Sequence, residues 1–199
     1  MIDDGIRRCV WAASDSEYAR YHDREWGRPL HGDRELFEKL CLEGFKAGLS
    51  WIMILRRRSA FREVFHNFDI NAVAEMSPSD VENVVKDSRI IRNRAKIEST
   101  ISNAKIARTL VTRRPGGLDK LIWSFAPPPR PESERPRLQQ DIPATTGESE
   151  SLSAALRALG FRFTGPTTTY ALMQAGGLVD DHLRGCWRVR PPTKPPQAP

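Results

Sequence analysis

An all-α fold is predicted for this chain of 199 residues on three observations. Apolar residues recur at three- and four-residue steps in several segments, which is the periodicity of a helix buried on one side. Residues that favour helix ends flank these segments. The remaining stretches are short, so any strands among them would be short as well. The length suits one compact unit with one sizeable core or with two small lobes that share an interface.

The first predicted element is a long core helix from Asp33 to about Arg57. Its apolar positions are Leu36, Phe37, Leu40, Cys41, Phe45, Leu49, Ile52 and Leu55. Asp33 is placed to cap the start of the helix, because a short acidic side chain can accept hydrogen bonds from the first backbone N–H groups. The helix could break near Gly44 or Gly48. Cys41 is interpreted as a core residue.

Two further helices are expected around a tight connection. Ser77 followed by Pro78 is a favourable N-cap and first-turn pair for a helix through Val85. A second helix runs from about Arg92 to Leu110, and the sequence DSRII joins the two.

Two helices are expected near the end of the chain. LSAALRALG indicates a helix stopped by Gly160, and GPTTTYALMQAGG indicates another with Pro166 in its first turn. The preceding segment, 113–149, is rich in proline and arginine, and only LDKLIWSF within it has apolar periodicity. We expect an exposed, weakly ordered loop at about 127–140 and a disordered tail at 189–199.

The composition favours a reducing interior and permits a polyanionic partner. The net charge is +6 and the sequence pI is about 9.5, which makes nucleic acid plausible without specifying it. The 3 cysteines do not suggest a disulfide framework, which disfavours secretion. The chain opens without the apolar core of a signal peptide, and no stretch approaches the roughly 18 apolar residues of a membrane span.

Two pairs of metal-ligand residues lie at opposite ends of the chain. Cys9 and His22 are close enough in sequence for a short helix or loop to bring them together. His182 and Cys186 have i, i+4 spacing, which predicts one face of a helical turn. Two thiolates and two imidazoles fill a tetrahedral zinc shell without water, so the pattern predicts a structural site. The alternative is ordinary buried cysteines and hydrogen-bonded histidines.

Aromatic and acidic residues concentrate between Tyr18 and Trp51. Tyr21 and Trp26 also precede the long helix, and Glu43 lies inside it about two turns before Trp51. A carboxylate among apolar neighbours is costly to bury without a partner, so Glu43 either points outward or serves a pocket. Flat rings and one carboxylate suit a planar ligand with hydrogen-bond donors. The alternative is that the rings are core and Glu43 is solvated.

Basic residues surround the DSRII connection. A tight turn between helices can aim backbone N–H groups at a phosphate, and nearby cations strengthen that contact. The residues concerned are Arg89, Arg92, Arg94 and Lys96, with a separate run at Arg56, Arg57 and Arg58. The alternative is a solvated charged face, which is the commoner role of such runs.

Five stretches of this sequence resemble the bacterial DNA-3-methyladenine glycosylase I family of the Tag type. They are YHDREWG at 21–27, LEGFKAGLSW at 42–51, IIRNRAKI at 90–97, WSF at 123–125 and QAGGLVDDHLRGC at 174–186. They occur in the family's order and extend the resemblance from Cys9 to about Cys186. The resemblance implies a helix-hairpin-helix DNA glycosylase fold in a single catalytic domain, 1–188. That domain would have two helical lobes and a hairpin near 81–110.

The resemblance also implies roles for the candidate residues. Glu43 would recognise the base, Tyr21 would be its hydrogen-bonding partner and Trp51 would stack on it, while Tyr18 and Trp26 would line the pocket. The zinc ligands would be Cys9, His22, His182 and Cys186. The hairpin cations Arg89, Arg92, Arg94 and Lys96 would contact DNA.

The implied function is base-excision repair. Members of the family flip 3-methyladenine out of alkylated double-stranded DNA and hydrolyse its N-glycosidic bond, which leaves an abasic site without strand cleavage. They lack the catalytic aspartate typical of the superfamily. A bacterial, cytoplasmic, nucleoid-associated protein is expected, with no membrane partner, and a monomer suffices.

Three departures from the family pattern bear on DNA affinity more than on activity. Arg89 stands where the hairpin usually has glycine, and arginine tolerates a positive φ poorly. Phe45 and Lys46 replace smaller or more polar residues beside the pocket. The stretch 127–140 is unusually rich in proline and arginine.

Two other functions stay open at this point. A zinc-stabilised helical module could bind damaged DNA without catalysis. A metal-dependent hydrolase would need an open coordination position, and four protein ligands argue against one. His31 and His66 lie outside the matched ligands and are interpreted as surface or helix-end residues.

Overall fold

The computed structural model describes residues 4–114 and 116–189, and within these ranges the regular secondary structure is entirely helical, which confirms the all-α class. The α-helices are α1 (Ser16–Arg24), α2 (Asp33–Lys46), α3 (Trp51–Leu55), α4 (Arg58–Val64), α5 (Ile70–Ala74), α6 (Pro78–Lys86), α7 (Arg94–Arg113), α8 (Gly117–Trp123), α9 (Gly147–Ala158) and α10 (Pro166–Ala175). Short 3₁₀ helices cover Val10–Ser14, His66–Phe68, Glu132–Glu134 and Gln139–Asp141. Among these residues, no helix is both long and apolar enough to cross a bilayer.

Helix α2 is the centre of the molecule. Every residue from Leu36 to Phe45 is buried, and α3, α7, α8 and α10 all pack against this helix. The predicted long helix is divided into α2 and α3, as its glycines had indicated it could be. Gly48 has a φ of +81° between α2 and α3, a left-handed conformation that favours glycine. The break lets α3 pack against α2.

Asp33 does not cap α2 as the sequence predicted. Its carboxylate instead accepts the backbone N–H groups of Leu118 and Asp119, both at 2.9 Å, at the start of α8. In return, the Asp119 carboxylate accepts the N–H of Gly32, the N-cap residue of α2, at 2.7 Å. The two helix starts therefore cap each other, and each acidic side chain lies near the positive end of a helix dipole.

Helices α6 and α7 form the expected pair around the DSRII connection. Ser77 caps α6 in a capping box with Asp80, and Pro78 is in the first turn. The Asn93 side chain accepts the N–H of Lys96 at the start of α7. Helix α7 packs against α2, α5, α6 and α8, so this pair of helices is joined directly to the core.

The C-terminal helices begin and end near the predicted residues. Gly160 follows α9 with a φ of +95°, and Pro166 is the first residue of α10. The sequence reasoning missed α1, α4 and α5. Helix α1 escaped because its buried side consists of Ala19, Tyr21 and His22, which carry no aliphatic periodicity.

The segment 127–140 is exposed along most of its length, but it is not uniformly so. It contains one 3₁₀ helix and leads into a second, and Arg135 within it is only 7% exposed. The predicted tail at 189–199 lies outside the described residues except for Val189.

Candidate active site

The structure brings the five predicted pocket residues to one cavity of about 180 Å³. Tyr18 and Tyr21 face it from α1, Glu43 from α2 and Trp51 from the first position of α3, while Trp26 follows α1. All except Tyr18 are buried residues. The predicted residues therefore converge on one site, and their chemical roles stay predictions.

The two tyrosines of α1 also contact α3, the helix that carries Trp51. Tyr18 and Tyr21 are three residues apart and share one side of α1. The Tyr18 hydroxyl accepts the backbone N–H of Ile52 at 3.0 Å, in the first turn of α3. The Tyr21 ring lies 5.4 Å from the Trp51 ring, centroid to centroid. The relative position of α1 and α3 is thus fixed at the cavity wall.

Glu43 is a carboxylate buried at the wall of the cavity. It is 4% exposed, and its Oε2 atom makes no hydrogen bond to the described part of the chain. Burial raises the pKa of Glu43, while the cations of Lys46 and Lys39 act in the opposite direction. The Lys46 amine is the nearer one, 3.7 Å from Oε2. The Trp51 Nε1 atom is likewise buried and without a partner among the described residues. A planar ligand with a polar edge could supply a hydrogen bond to Glu43 Oε2.

A buried lysine lies behind the aromatic wall, and the sequence reasoning missed it. The Lys39 amine donates to the Tyr21 hydroxyl at 3.4 Å and lies 5.0 Å and 5.3 Å from the ring centroids of Tyr21 and Trp51. Burial lowers the pKa of Lys39, against the attraction of Glu43 one turn away on α2. Lys39 lines a neighbouring cavity and not the one that holds Glu43. No pattern marked this residue, because α2 is buried on all sides.

Other residues complete the cavity, and they too were absent from the prediction. They are Trp11, Lys46, Gln139, Ile142, Ala171 and Gln174. Trp11 lies two residues after Cys9, and Gln174 opens the QAGG motif, so closeness to matched motifs could have indicated both. Gln139 and Ile142 lie at the end of the proline-rich segment, whose composition gives no sign of a pocket.

Three of the four predicted metal ligands meet in a buried cluster beside the cavity. One side-chain ligand atom from each of Cys9, His22 and Cys186 lies within 4.8 Å of the other two. The Cys186 thiol is 3.4 Å from His22 Nε2. The hydrogen bond from Cys9 and the neighbouring His22 lower the pKa of Cys186. The ligand atoms of His182 do not lie within 4.8 Å of the ligand atoms of all three of these residues. Its ring centroid is nevertheless 5.1 Å from that of His22.

Carboxylates orient both imidazoles. His22 Nδ1 pairs with Asp23 at 2.9 Å, and His182 Nδ1 pairs with Asp180 at 2.8 Å. These contacts leave Nε2 of each ring for the cluster. The Nε2 atom of His182 is buried and has no hydrogen-bond partner in the described chain. Metal-ligating histidines commonly have one ring nitrogen held by a carboxylate, so this donor set fits a zinc ion.

The segment that carries His182 and Cys186 is not the predicted helical turn. It follows α10 as a series of turns, and Gly185 has a φ of +83°. A left-handed residue at that position interrupts helical geometry. The cluster is held from a loop instead, and the backbone N–H of Leu183 donates to the Cys9 sulfur at 3.3 Å.

Trp26 joins the cluster to the cavity. Its ring centroid lies 4.7 Å from that of His182 and 6.1 Å from that of His22, and the same indole lines the cavity. Gly27 follows with a φ of +72°, and a Cβ atom there would lie 2.5 Å from the His182 ring. Glycine is therefore required at this position of the YHDREWG motif.

The connection between α6 and α7 carries exposed arginines. Arg89 pairs with Asp87 at 2.8 Å and Arg94 pairs with Glu82 at 2.7 Å, while Arg92 is exposed. Arg89 is not among the non-glycine residues with a positive φ in the described chain. The turn therefore accommodates arginine where the family usually has glycine.

Lys96 does not lie on this surface, contrary to the prediction that it contacts DNA. It is buried, and its amine donates to the carbonyl oxygens of Phe45 at 2.8 Å and Ala47 at 2.7 Å. These carbonyls belong to the end of α2, where the helix leaves acceptors without intrahelical partners. Lys96 thus stabilises the helix that carries Glu43.

Comparisons with known proteins identify the family of the chain. The sequence profile of the family described as Methyladenine glycosylase matches residues 11–189. The chain is 44% identical over 179 residues to a Haemophilus influenzae protein named DNA-3-methyladenine glycosylase, which covers 90% of this chain and 96% of that protein.

Solved structures give the same assignment. A crystal structure of 3-methyladenine DNA glycosylase I superposes with a TM-score of 0.86 at 41% identity, covering 92% of this chain and 99% of that chain. A tyrosine-to-phenylalanine variant of such an enzyme, in complex with 3-methyladenine, superposes with a TM-score of 0.83 at 31% identity, covering 90% and 95%. The family resemblance and the enzyme class predicted from the motifs are confirmed, and the chain belongs to the methyladenine glycosylase family.

Proposed function

We propose that this protein hydrolyses the N-glycosidic bond of 3-methyladenine in alkylated double-stranded DNA and leaves an abasic site without cutting the strand. The observation that carries the proposal is the buried Glu43 carboxylate, whose Oε2 atom accepts no hydrogen bond from the described chain, at the wall of an aromatic cavity. The relatives' names and the base bound in one neighbouring structure support this choice of substrate.

The position of the cavity requires base flipping. Its walls come from α1, α2, α3 and α10, and most of its aromatic residues are buried, so a base inside a duplex cannot reach them. The damaged nucleotide must rotate out of the stack, at an unstacking cost of a few kcal/mol. Trp51 would then stack on the base, while Glu43 and Tyr21 would hydrogen-bond its polar edge. Tyr18 and Trp26 would close the sides.

The chemistry follows from the charge of the substrate. 3-Methyladenine attached to deoxyribose carries a positive charge, so its glycosidic bond is already weak. As that bond breaks, the base leaves neutral with the bonding electron pair and the positive charge moves to the sugar. Water adds to the sugar carbon and one proton is lost to solvent. A fixed carboxylate such as Glu43 would favour the cationic nucleotide and the cationic transition state over neutral DNA bases.

We also propose that the Cys/His cluster binds a structural zinc ion. Cys9, His22, His182 and Cys186 supply two sulfur and two nitrogen donors, which leaves no coordination position for a substrate. The metal would hold the segment that carries Tyr21 and Trp26 against the loop after α10. Its contribution would be to stability and to the shape of the cavity wall.

The α6–α7 pair is proposed to act as a helix-hairpin-helix DNA interface. Arg92 is exposed there, and Arg89 and Arg94 make ion pairs at the surface that phosphate could replace. A monomer would suffice, because all residues of the cavity come from one chain. The proposed setting is the cytoplasm, on nucleoid DNA.

One assay separates catalysis from binding without catalysis. The protein is incubated with N-methylated duplex DNA, and free base is separated and quantified. Release of 3-methyladenine with an intact strand until alkali is added is the expected result. Binding of the DNA with no free base would instead support a damage-binding module.

A further inference from the structure

The proline- and arginine-rich residues 127–142, here called the strap, are tied to the segment just after α10. The Arg130 guanidinium pairs with Asp181 at 2.7 Å, and Arg135 pairs with Asp180 at 2.9 Å. The backbone N–H of Arg184 donates to the carbonyl of Pro136 at 2.8 Å. These contacts join the strap to the segment that carries two of the cluster residues.

The two carboxylates that hold the strap also hold parts of the site. Asp181 is 1% exposed and accepts hydrogen bonds from the Tyr170 hydroxyl at 2.6 Å and from the Gln174 amide at 2.9 Å. Gln174 lines the base cavity. Asp180 pairs with His182 of the cluster. The strap is therefore coupled to the cavity and to the cluster by charged hydrogen bonds, which are stronger than neutral ones.

The far end of the strap reaches the cavity itself. The Asp141 carboxylate accepts the backbone N–H groups of Arg137 at 2.9 Å and Leu138 at 2.8 Å, which fixes the short 3₁₀ helix Gln139–Asp141. Gln139 at the start of this helix lines the cavity, whereas its neighbour Gln140 does not. An amide side chain offers two N–H donors and one oxygen acceptor.

We propose that Gln139 is a further substrate-binding residue and that the strap is the element that positions it. This inference rests on the proposed function, because the ligand is the flipped methylated base. Gln139 closes the cavity on the side that α1, α2, α3 and α10 leave open, and it hydrogen-bonds the base there. Arg130 acts through Gln139 as a positioning residue. The prolines of the strap restrict its backbone, so little conformational entropy is lost when the base is bound.

The test compares Gln139→Ala with Gln140→Ala, two truncations of adjacent glutamines in one 3₁₀ helix. The measurements are the affinity for free 3-methyladenine, followed by tryptophan fluorescence, and kcat/KM for base release from methylated DNA. Loss of one hydrogen bond should weaken base affinity about 3- to 10-fold in Q139A. Q140A should stay within about twofold of the wild type. Equal values for the two variants would overturn the proposal.

Measurements on the wild-type protein distinguish a wrong role for Gln139 from a wrong proposed function. A wild type that neither binds the free base nor releases it from DNA would overturn both. A wild type that does both, beside a Q139A variant with unchanged affinity, would overturn the role of Gln139 alone.

The positioning role of Arg130 is tested by a double-mutant cycle. Arg130→Gln should weaken base affinity about 3- to 10-fold in the wild-type background and by less than about twofold in the Q139A background. Additive losses would show that Arg130 does not act through Gln139. Arg130→Lys, which keeps a cation near Asp181, should recover part of the affinity, whereas a general loss of fold would not be rescued in this way.

Discussion

The cavity lined by Glu43 and the Cys/His cluster share a wall but are built in different ways. Glu43 and Trp51 line the cavity, and Glu43 Oε2 and Trp51 Nε1 have no hydrogen-bond partners in the described chain. In the cluster, side chains distant in sequence lie close together and acidic residues hold both imidazoles, while His182 Nε2 has no hydrogen-bond partner in the described chain. Trp26 lies against both regions.

The proposed roles of the two regions account for this difference. Unsatisfied buried groups cost stability, so a protein keeps them where a ligand will satisfy them. In the cluster, the donors converge on one enclosed point and carboxylates hold the opposite ring nitrogens, so a bound metal would fasten the chain there. The comparison predicts that changes in the cavity alter activity without loss of stability, while changes in the cluster alter stability first.

Glu43→Gln should show the largest separation of activity from stability. We expect kcat/KM for 3-methyladenine release to fall by about 10- to 100-fold, because a hydrogen bond to a charged group is worth about 1.5–3 kcal/mol. The Tm at neutral pH should rise by about 2–4 °C, since a buried charge is removed at a gain of about 1 kcal/mol. Base release and calorimetry on the same preparation measure both. Wild-type release rates would refute the role of Glu43.

Cys186→Ser should affect the cluster first. We expect zinc content to fall to near zero and Tm to drop by about 6–12 °C, which corresponds to about 3 kcal/mol. Activity should fall as a consequence, because His22 directly follows Tyr21 in the sequence. Elemental analysis and thermal unfolding measure the effects. Cys41→Ser is the control, since Cys41 is buried away from the cluster, and normal zinc in C186S would contradict the site.

The pH profile should report the buried carboxylate. Burial raises the pKa of Glu43 above its ordinary value, so base release should decline on acidification at a higher pH than for an exposed glutamate. The free energy of unfolding should change in the opposite direction and increase on acidification. Protonation of Glu43 stabilises the folded protein, and this stabilisation is complete below the pKa of Glu43 in the unfolded chain and is lost as pH rises through its pKa in the folded protein. Rates measured from about pH 4.5 to 8 should lose this acidic limb in E43Q. An identical acidic decline in the wild type and in E43Q would show that a group other than Glu43 causes it.

Lys39→Met should give the smallest effect, and one that depends on substrate charge. A cation behind the Trp51 ring opposes a positively charged base, so the change should raise the affinity for methylated DNA a few-fold, a gain of about 0.5–1 kcal/mol. Affinity for the free, neutral base should stay within about twofold. Parallel titrations with the two ligands provide the comparison, and equal changes for both would argue for a packing effect.

The sequence indicated the parts of this site that depend on local pattern. Glu43 stands out in the sequence because a carboxylate lies among apolar neighbours, and the glycines in the long helix predict its break. Properties that depend on distant neighbours were missed. Asp33 caps α8 because α8 packs against the start of α2, and Lys96 is buried because the end of α2 lies beside it. Lys39 was missed because burial on every side of α2 leaves no pattern to read.

The contact between His22 and Cys186 spans 164 residues of sequence, and this has a consequence for biosynthesis. During translation, α1 with its tyrosines leaves the ribosome long before the loop that holds it, because 164 residues separate His22 from Cys186. Contacts so distant in sequence form late in folding, and domains fold as units as the chain emerges. The nascent chain would therefore lack a fully supported cavity wall until the segment through Cys186 has emerged.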